Sequence, residues 1–599
     1  MVQQGALQLP TPSTDNLKLD RRPAREISGS PDFRRSDISH QRKPIRKAIL
    51  KAKVWLGRQL TGSQKAAISR LRHGQHDWQH RLINRIRGNT HKGARAHVVT
   101  SGFDTRKAAE DNLFALQALL DSDSLEYAIL PTVDVYRPKV VVAYQDVASL
   151  INTLNKLSPA DGWTYRLHRG LLPVDEFRLD SPITEEPDPI TAITLTRTIS
   201  SPSGQILSTE YEDIDIQIWA PLNSGTFRVD GGKHTAGTLH AMETHAKSEV
   251  AYLTPSQWRA IQQRKSRRLE LGNPLLMEVT EPIDMVYTWV DDSDPAWLER
   301  KMTAAGDFDM ASVNPESMNS SRYLNRDELR YSLRSVETYA NWVRHIYIVT
   351  DQQVPSWLNI HHPKITIIDH RDIFRDPSVL PVFNSHAIES QLHHIPGLSE
   401  HYIYMNDDLF FTRPVNPDLF VTSNGIAKFF LSKATLDISS GSVNDVPVLS
   451  AAKNGRDFIS NIHDRAVTRK FKHTPHVQTK SVLESLENEQ PEIFKTVAAS
   501  KFRHPEDYSI PSALQHYHAY MLGKSIPGDI RYEYIDISHP DSELRLVRAE
   551  RRSLQVICLN DTDVDFDDEE RVNNVIGRYL RLKFPIPSSF EIEGSNPSY

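Results

Sequence analysis

The sequence predicts an α/β protein built on a mostly parallel sheet with flanking helices. Between residues 280 and 590, strand-forming runs such as IDMVYTWV, HIYIVTD and KITIIDH alternate with helical patterns such as RDELRYSLRSVETYA. This alternation is typical of parallel strands that are joined by helices. The 599 residues also exceed one ordinary domain of roughly 100 to 200 residues, so we expect more than one folded unit.

The N-terminal segment differs from the rest of the chain in charge. Residues 1–97 contain 21 Lys and Arg against 6 Asp and Glu, a net charge of +15, and the remainder contains 50 against 70, a net charge of −20. Few large apolar residues occur in residues 1–40, so we expect residues 1–96 to form a basic arm that is partly disordered. Residues 44–60 within it have the pattern of a basic amphipathic helix. Such a helix fits either an anionic membrane surface or the acidic body of this protein.

Residues 97–260 are predicted to form a small α/β accessory module. Leu113, Leu116 and Leu120 recur at helical spacing after Asp104, a possible N-cap. The runs YAIL, KVVVAY, ITAITLTRTI and DIDIQIWA have the composition of buried strands. No nucleotide-binding fingerprint occurs here, so the role of this module stays open. Residues 280–599 form the third predicted unit, which carries the chemistry.

Composition limits the protein class and the compartment. The single cysteine, Cys558, excludes an internal disulfide and a cysteine-based zinc site, and it fits a reducing compartment. No apolar run approaches the roughly 18 residues that a membrane span needs, and no apolar segment of a signal peptide occurs near the N-terminus. We therefore expect a cytoplasmic protein, which could be peripheral at the inner face of the membrane through residues 44–60.

Acidic residues follow three of the predicted strands. They are Asp291 with Asp292, Asp407 with Asp408, and Asp561. Ligands of open α/β sheets gather at the carboxyl ends of the strands, and carboxylates there can hold a hard divalent cation such as Mg²⁺ or Mn²⁺. Turn formation and helix capping are the competing interpretation.

Two basic clusters complete the set of candidate residues. KFKHTPHVQTK contains His473 and His476, and a histidine near its reference pKa of about 6.5 can accept a proton from a hydroxyl. A surface pair or a zinc-binding pair is the alternative for these histidines. KFRHPEDYSIP contains Arg503, whose planar guanidinium suits a phosphate group. A salt bridge to Glu506 or Asp507 is the alternative for Arg503.

Four stretches in order resemble the conserved regions of the stealth family of sugar-phosphate transferases. The first is IDMVYTWVDDSDP, and the second extends from RDELRYSLRSVETYANWVRHIYIVTDQQVPSWLN through LPVFNSHAIESQLHHIPGLSEHYIYMNDDLFF. KHTPHVQTKSVLESL with FRHPEDYSIP is similar to the third region, and CLNDTD with FPIPSSFE to the fourth. The resemblance covers residues 283–591. Where many members have Asn-Gly after Trp-Val, this chain has Asp291 and Asp292.

The resemblance implies a fold and an activity. The fold is a Rossmann-like, glycosyltransferase A-type core. The activity is the transfer of a hexose 1-phosphate from a nucleotide sugar, expected to be a UDP-hexose, to a hydroxyl of a glycan acceptor. UMP would leave, and the product would be a phosphodiester of an exopolysaccharide or capsule. The animal relative of the family is the N-acetylglucosamine-1-phosphotransferase that tags lysosomal enzymes.

The resemblance also implies residue roles. His476 would be the general base and Arg503 would contact the transferring phosphate. The other expected roles are ligation of a divalent cation or the donor diphosphate by Asp407, Asp408 and Asp561, and contact with the donor by Asp291, Asn406 and Asn560.

Two other functions compete with this expectation. An ordinary glycosyltransferase would share the acidic strand ends, but it would attack the anomeric carbon and release UDP. A nucleic-acid-binding protein would use the basic arm, but the acidic body and the few aromatic residues of the arm argue against it, so no nucleic-acid partner is expected. A non-enzymatic scaffold would leave the three acid-tipped strands without a role.

Overall fold

A computed structural model describes the chain over residues 97–169, 172–177, 190–222, 235–242, 248–306, 325–561 and 569–595. The predictions for the basic arm, residues 1–96 with the amphipathic segment 44–60, lie outside these residues. Within the described part, no helix has both the length and the apolarity that crossing a membrane requires. The domain boundaries proposed from the sequence stay predictions.

The N-terminal region contains ten described strands, eight of which form one large sheet. The ten strands are β1 (Val98–Val99), β2 (Ala128–Leu130), β3 (Lys139–Ala143), β4 (Trp163–Arg169), β5 (Leu172–Phe177), β6 (Ala192–Arg197), β7 (Ile199–Ser200), β8 (Ile214–Pro221), β9 (Leu239–Ala241) and β10 (Tyr252–Leu253). Six strands follow the order β10-β9-β8-β6-β4-β5, and β3 joins β8 to β2, while β1 and β7 form a separate parallel pair. Three helices accompany them: α1 (Thr105–Ser122), α2 (Val147–Leu154) and α3 (Pro255–Gln262).

Helix α1 begins where the sequence predicts. The side chain of Asp104 accepts hydrogen bonds from the backbone N–H groups of Arg106 and Lys107, at 2.8 and 3.1 Å, which satisfies donors that a helix N-terminus leaves unpaired. Leu116 and Leu120 on its inner face are fully buried in the module's core. This apolar face therefore holds the helix on the sheet.

The module packs directly on the C-terminal region. The Tyr136 hydroxyl, which is buried, donates to the backbone carbonyl oxygens of Tyr339 at 2.7 Å and Val415 at 3.2 Å. The backbone N–H of Val135 donates to Oδ1 of Asn416 at 3.0 Å. These contacts satisfy polar groups that would otherwise be buried without partners, so they fix the two regions against each other.

The central sheet of the C-terminal region has five strands. They are β11 (Ile283–Thr288), β12 (Ile346–Thr350), β13 (Ile365–Asp369), β14 (His401–Met405) and β19 (His476–Thr479). The spatial order is β13-β12-β11-β14-β19, with every pair parallel except β14 with β19. The chain thus enters this sheet at its central strand β11, continues through β12 to the edge strand β13, and then crosses back to β14 on the other side of β11. A crevice opens between β11 and β14 at this reversal, which is where ligands bind in sheets of this kind.

Smaller sheets and helices surround the central sheet. The remaining strands are β15 (Leu409–Phe411), β16 (Ala427–Phe429), β17 (Leu431–Thr435), β18 (Arg469–Phe471), β20 (Ser525–Pro527), β21 (Tyr532–Asp536) and β22 (Val556–Asn560), which pair as β15-β22-β21, β16-β20 and β17-β18. The helices are α4 (Pro295–Gly306), α5 (Glu328–Tyr339), α6 (His370–Ile373), α7 (Ser385–Glu389), α8 (Pro447–His463), α9 (Lys480–Glu489), α10 (Pro491–Ala499), α11 (Gln515–Met521), α12 (Ser542–Ala549) and α13 (Glu569–Lys583).

This architecture confirms the predicted fold class. The strands predicted from the alternation of strand and helix patterns form a mostly parallel sheet with flanking helices. Its strand order reverses as in Rossmann-like folds, which is expected for a glycosyltransferase A-type core. A smaller α/β region precedes it. The apolar faces of the helices and the central strands form a continuous core on one side of the sheet and a second core on the other.

Candidate active site

A cavity of about 160 Å³ lies at the carboxyl ends of the parallel strands. Thr288 and Trp289 come from the end of β11, Asp351 follows β12, and Asn406 and Asp407 follow β14. Ser385 of α7 and Arg503 of a loop from the third motif complete the polar part of the wall, and apolar side chains such as Trp297 and Phe383 form the rest. The cavity therefore combines residues that are far apart in sequence at the predicted crevice.

Asp408 lies in the turn between β14 and β15 and contacts three neighbours. Its carboxylate accepts hydrogen bonds from Nδ2 of Asn560 at 3.0 Å and from Sγ of Cys558 at 3.3 Å, and it lies 3.4 Å from Nε2 of His473. Burial raises the pKa of Asp408, but the nearby His473 and these donors outweigh burial and leave it below its usual value. Asp408 is therefore held as a carboxylate.

Two further carboxyl groups carry the opposite shift. Burial raises the pKa of Asp407 well above its usual value, and the negative charges of Glu328 and Asp408 add to the effect. Burial likewise raises the pKa of Glu328, at the start of α5, to about 7, with Arg326 opposing the shift and Asp408 adding to it. The charge of Asp408 thus opposes the ionisation of Asp407 and Glu328, and a divalent cation bound among these acids would relieve that repulsion.

The chemistry of this donor set fits a hard cation. Asp407, Asp408 and Glu328 supply carboxylate oxygens, the ligands that Mg²⁺ and Mn²⁺ prefer. Asp408 also forms a group with His473 and Cys558 whose ligand atoms lie within 4.8 Å of one another. Burial and the charge of Asp408 raise the pKa of the Cys558 thiol well above its usual value, so it stays protonated and is a poor ligand. By ligand chemistry, carboxylates therefore fit a hard cation better than the thiol does.

Two of the predicted site residues have other contacts in this structure. Asp561 is an ion-pair partner of Arg326, with its Oδ2 atom 2.8 Å from Nη2, and both side chains are buried. Asp291 accepts hydrogen bonds from the backbone N–H and the hydroxyl of Ser293, which forms a turn after β11. Neither residue is among the described residues that line the cavity, and the same holds for Asp408, Asn560 and His476. Of the predicted site residues, Asn406, Asp407 and Arg503 line it, and the roles assigned to all of these residues stay predictions.

Arg503 reaches the cavity from a loop that is fixed to α7. Its Nη2 atom donates to the Ser385 hydroxyl at 2.8 Å. The loop is fixed by Asp507, which accepts from Nδ2 of Asn384 at 2.8 Å and from the backbone N–H of His504 at 2.9 Å. In the described part of the chain no salt bridge joins Arg503 to Glu506 or Asp507, so its guanidinium faces the cavity with most of its donors available for a ligand.

The two histidines of the third motif have different surroundings. His476 is buried on β19, and its Nδ1 atom lies 3.0 Å from Nε2 of His516. Burial first, and then the nearby His516 and His473, lower the pKa of His476 well below its usual value, and burial lowers that of His516 to about 3. For His473 burial lowers the pKa, but the charge of Asp408 outweighs it and the net shift is upward. At neutral pH His476 is therefore a neutral imidazole.

Sequence reasoning missed several residues of this site. Glu389, 6% exposed on α7, accepts from the Tyr404 hydroxyl at 3.1 Å, and its other oxygen is buried without a hydrogen-bond partner among the described residues. Glu328 and Tyr534, whose hydroxyl donates to Asn560 at 2.8 Å, were also missed. Glu389 and Glu328 lie inside the second motif but do not follow a strand, so the rule of acids at strand ends could not find them.

Comparison with known proteins supports the order of the motifs. The models for Stealth protein conserved regions 1, 2, 3 and 4 match residues 281–307, 322–429, 472–520 and 546–598. An exopolysaccharide phosphotransferase of Streptomyces coelicolor is 41% identical over 65% of this chain and 66% of its own length. The exopolysaccharide phosphotransferase CpsY of Mycobacterium tuberculosis is 38% identical over 53% of this chain and 59% of its own.

The match to these relatives is partial in length. The chain spans between 36% and 66% of the length of the Streptomyces coelicolor relatives that it matches. Among solved structures, the galactosyltransferase LgtC with donor and acceptor sugar analogues is 10% identical, with a TM-score of 0.26, over 51% of this chain and 96% of that one. All four conserved regions occur in order along residues 281–598, residues of the first three line the cavity at the crevice of the sheet, and the chain belongs to the stealth protein family.

Proposed function

We propose that this protein transfers a hexose 1-phosphate from a nucleotide sugar to a hydroxyl of a glycan acceptor, in the synthesis of an exopolysaccharide or capsule. The acceptor oxygen forms a bond to the phosphorus that carries the hexose. The bond from that phosphorus to the oxygen bridging to the nucleoside monophosphate breaks, and the monophosphate leaves with that oxygen. With a UDP-hexose donor the products are UMP and a phosphodiester. The relatives named exopolysaccharide phosphotransferases support this reaction class.

One observation carries the proposal most directly. Arg503 and the Asn406–Asp407 turn line the same cavity at the end of the parallel sheet. Phosphoryl transfer requires positioning and neutralisation of charge more than covalent catalysis. A guanidinium with available donors beside a cluster of carboxylates supplies both, because the first contacts phosphate oxygens and the second fits a divalent cation.

The cation would be held by Asp407 and Asp408, and Glu328, whose Oε1 atom lies 3.8 Å from Nη1 of Arg326, would be a further ligand. Mg²⁺ or Mn²⁺ bound there would neutralise the donor diphosphate. Asn560 holds Asp408 through its amide nitrogen, and its amide oxygen is fixed by Tyr534. The chain thus orients Asp408 before any ligand arrives, which lowers the cost of organising the site.

His476 acts as the base in this proposal. If the Nδ1–H group donates to Nε2 of His516, then Nε2 of His476 keeps its lone pair and can take the proton of the acceptor hydroxyl. The lowered pKa keeps this imidazole neutral at neutral pH. A weak base is sufficient, since phosphoryl transfer in protein kinases uses a carboxylate in the corresponding place. His473 neutralises and positions Asp408.

The released nucleotide tests the proposal. The full chain is incubated with Mg²⁺, a UDP-hexose labelled in the phosphate next to the sugar, and a glycan acceptor. We expect release of UMP and retention of the label in the glycan. Release of UDP without label in the glycan would identify an ordinary glycosyltransferase and refute the proposal.

A variant pair connects the activity to the cavity. Arg503→Lys should lower turnover by roughly tenfold or more, because an ammonium group cannot reproduce a two-pronged contact with phosphate oxygens. Arg371→Lys on the exposed side of α6 is the matched control and should keep wild-type turnover. Equal turnover of both variants would remove Arg503 from the mechanism.

A further inference from the structure

A second cleft, of about 530 Å³, lies beside the catalytic cluster and is basic. Among the nine residues described as lining it, four are basic and none is acidic. The basic residues are Lys433, Lys472, Arg531 and Arg552. Tyr532 lies on the wall of the cleft, and the Lys472 ammonium group is 5.5 Å from the centroid of its ring.

The cleft adjoins the catalytic cluster through β21. Tyr532 and Tyr534 are two residues apart on this strand, so their side chains share a face at a spacing of about 6.6 Å. Tyr534 contacts the ring of His473 edge-on, with 6.4 Å between centroids, and donates to Asn560, which holds Asp408. Tyr532 meets Lys472 at the cleft. A chain molecule bound along this face would pass from the basic cleft to the reacting groups.

The charge of the cleft contrasts with its surroundings. Residues 98–599 carry a net charge of −20, yet the charged side chains described as lining this cleft are all cationic. Arg552 pairs with Glu533, which lies outside the lining. Within the described ranges, no carboxylate forms a salt bridge with Lys433, Lys472 or Arg531. Three cationic groups therefore remain available to an anionic ligand.

We propose that this cleft binds the acceptor glycan through phosphodiester groups that the glycan already carries. This inference rests on the proposed function, because every transfer would leave one phosphodiester in the product, and a growing acceptor would then present negative charges along its length. A phosphodiester group of the acceptor, at a distance along the chain from the hydroxyl that attacks the donor, would lie among Lys433, Lys472 and Arg531. The cleft would favour acceptors that have already been extended over neutral starting glycans.

A binding experiment tests this without turnover. The full chain is titrated with a short hexose oligomer linked through phosphodiesters, and with a neutral α-glucan of matched length. We expect tighter binding of the phosphodiester oligomer, with a difference that shrinks as salt screens the charges. The double variant Lys433→Ala with Arg531→Ala should weaken binding of the phosphodiester oligomer by roughly fivefold to tenfold. Equal affinity of wild type for the two glycans would overturn the inference.

Two controls identify the source of the effect. The double variant Arg259→Ala with Lys495→Ala removes the same charge from exposed positions on α3 and α10 and should leave binding unchanged. An equal loss in this control would show that net charge, not the cleft, determines binding, and would overturn the inference. A single-stranded oligonucleotide of equal charge that binds as tightly as the glycan would overturn the assignment to a glycan.

Kinetics separate this inference from the proposed function. In the cleft variant, KM for the phosphodiester acceptor should rise, while KM for the nucleotide sugar and turnover with a neutral acceptor should not change. If the protein transfers hexose phosphate and the acceptor KM is unaffected, the cleft assignment is wrong and the proposed function stands. If cleft-dependent binding of the oligomer occurs without any transfer of hexose phosphate, the proposed function is wrong and the anion site stands.

Discussion

Substituting the histidines around β19 tests the assignment of the general base. His476→Ala removes the proposed base, His516→Phe removes the ring that contacts its Nδ1 atom, and His473→Ala removes the ring that contacts Asp408. The three positions are close in space, but they carry different proposed roles. Each variant therefore has its own expected change in turnover.

The expected magnitudes follow from these roles. A positioned general base contributes about 10² to 10⁴ in rate, so His476→Ala should lower turnover by that order with little change in donor affinity. His516→Phe keeps an aromatic ring in the cluster with Phe471 but removes the hydrogen bond, so we expect a smaller loss of roughly tenfold or more through misorientation. His473→Ala should be milder than His476→Ala.

The assay is steady-state turnover of a labelled UDP-hexose with donor binding measured in parallel, which separates lost chemistry from a displaced substrate. Because the pKa of His476 lies well below 6.5, the acid limb of the turnover profile should also lie below pH 6.5 in wild type. A His473→Ala variant without activity beside a nearly normal His476→Ala variant would refute the assignment. Normal turnover in both would show that the histidines of this motif are structural.

Three further predictions concern the cation site, the N-terminal arm and the module. Asp408→Asn should remove most turnover with the fold intact by circular dichroism, and full activity of this variant in the presence of a chelator would contradict a cation at this site. A truncated protein that starts at His97 should keep its turnover with a soluble acceptor. It should bind anionic vesicles less well than the full chain, most clearly at low salt. Loss of turnover in a folded truncated protein would show that the arm contributes to the active site. Burial raises the pKa of Glu212 to about 8, so the native state keeps a proton that the unfolded state loses, and stability falls as the pH rises from about 4.5 to 8. The free energy of unfolding of Glu212→Gln, measured in urea, should therefore rise relative to that of wild type by up to about 4 kcal/mol as the pH increases from 5 to 8. A free-energy difference between the two proteins that does not change with pH would contradict this.

Local patterns in the sequence predicted most of the fold. The strand runs and the cap at Asp104 depend on neighbours within a few residues, and the structure confirms them. Asn406 and Asp407, which follow β14, line the cavity at the crevice, where a buried strand followed by acids marks the edge of a parallel sheet. Such signals need no knowledge of distant contacts.

The surroundings of the acids could not be predicted in this way. Asp561 follows a strand just as Asp407 does, yet Arg326 pairs with it from a position more than 200 residues away. The partner decides whether a carboxylate is available to a ligand, and no local pattern identifies the partner. For the same reason the sequence does not identify Glu328, at the start of α5, as a neighbour of Asp407.

Helix α5 shows how the distant motifs act on the site. Besides its apolar residues, Arg330 and Arg334 of this helix are buried, and both pair with Glu591 of the fourth motif, at 2.6 and 2.7 Å. A buried charge is tolerated only with such a partner, since one left alone costs about 3 to 5 kcal/mol. The segment around Glu591 therefore fixes the helix that presents Glu328 to the carboxylate cluster. This gives a physical reason for the fourth motif to accompany the second although Glu591 is outside the described lining of the cavity.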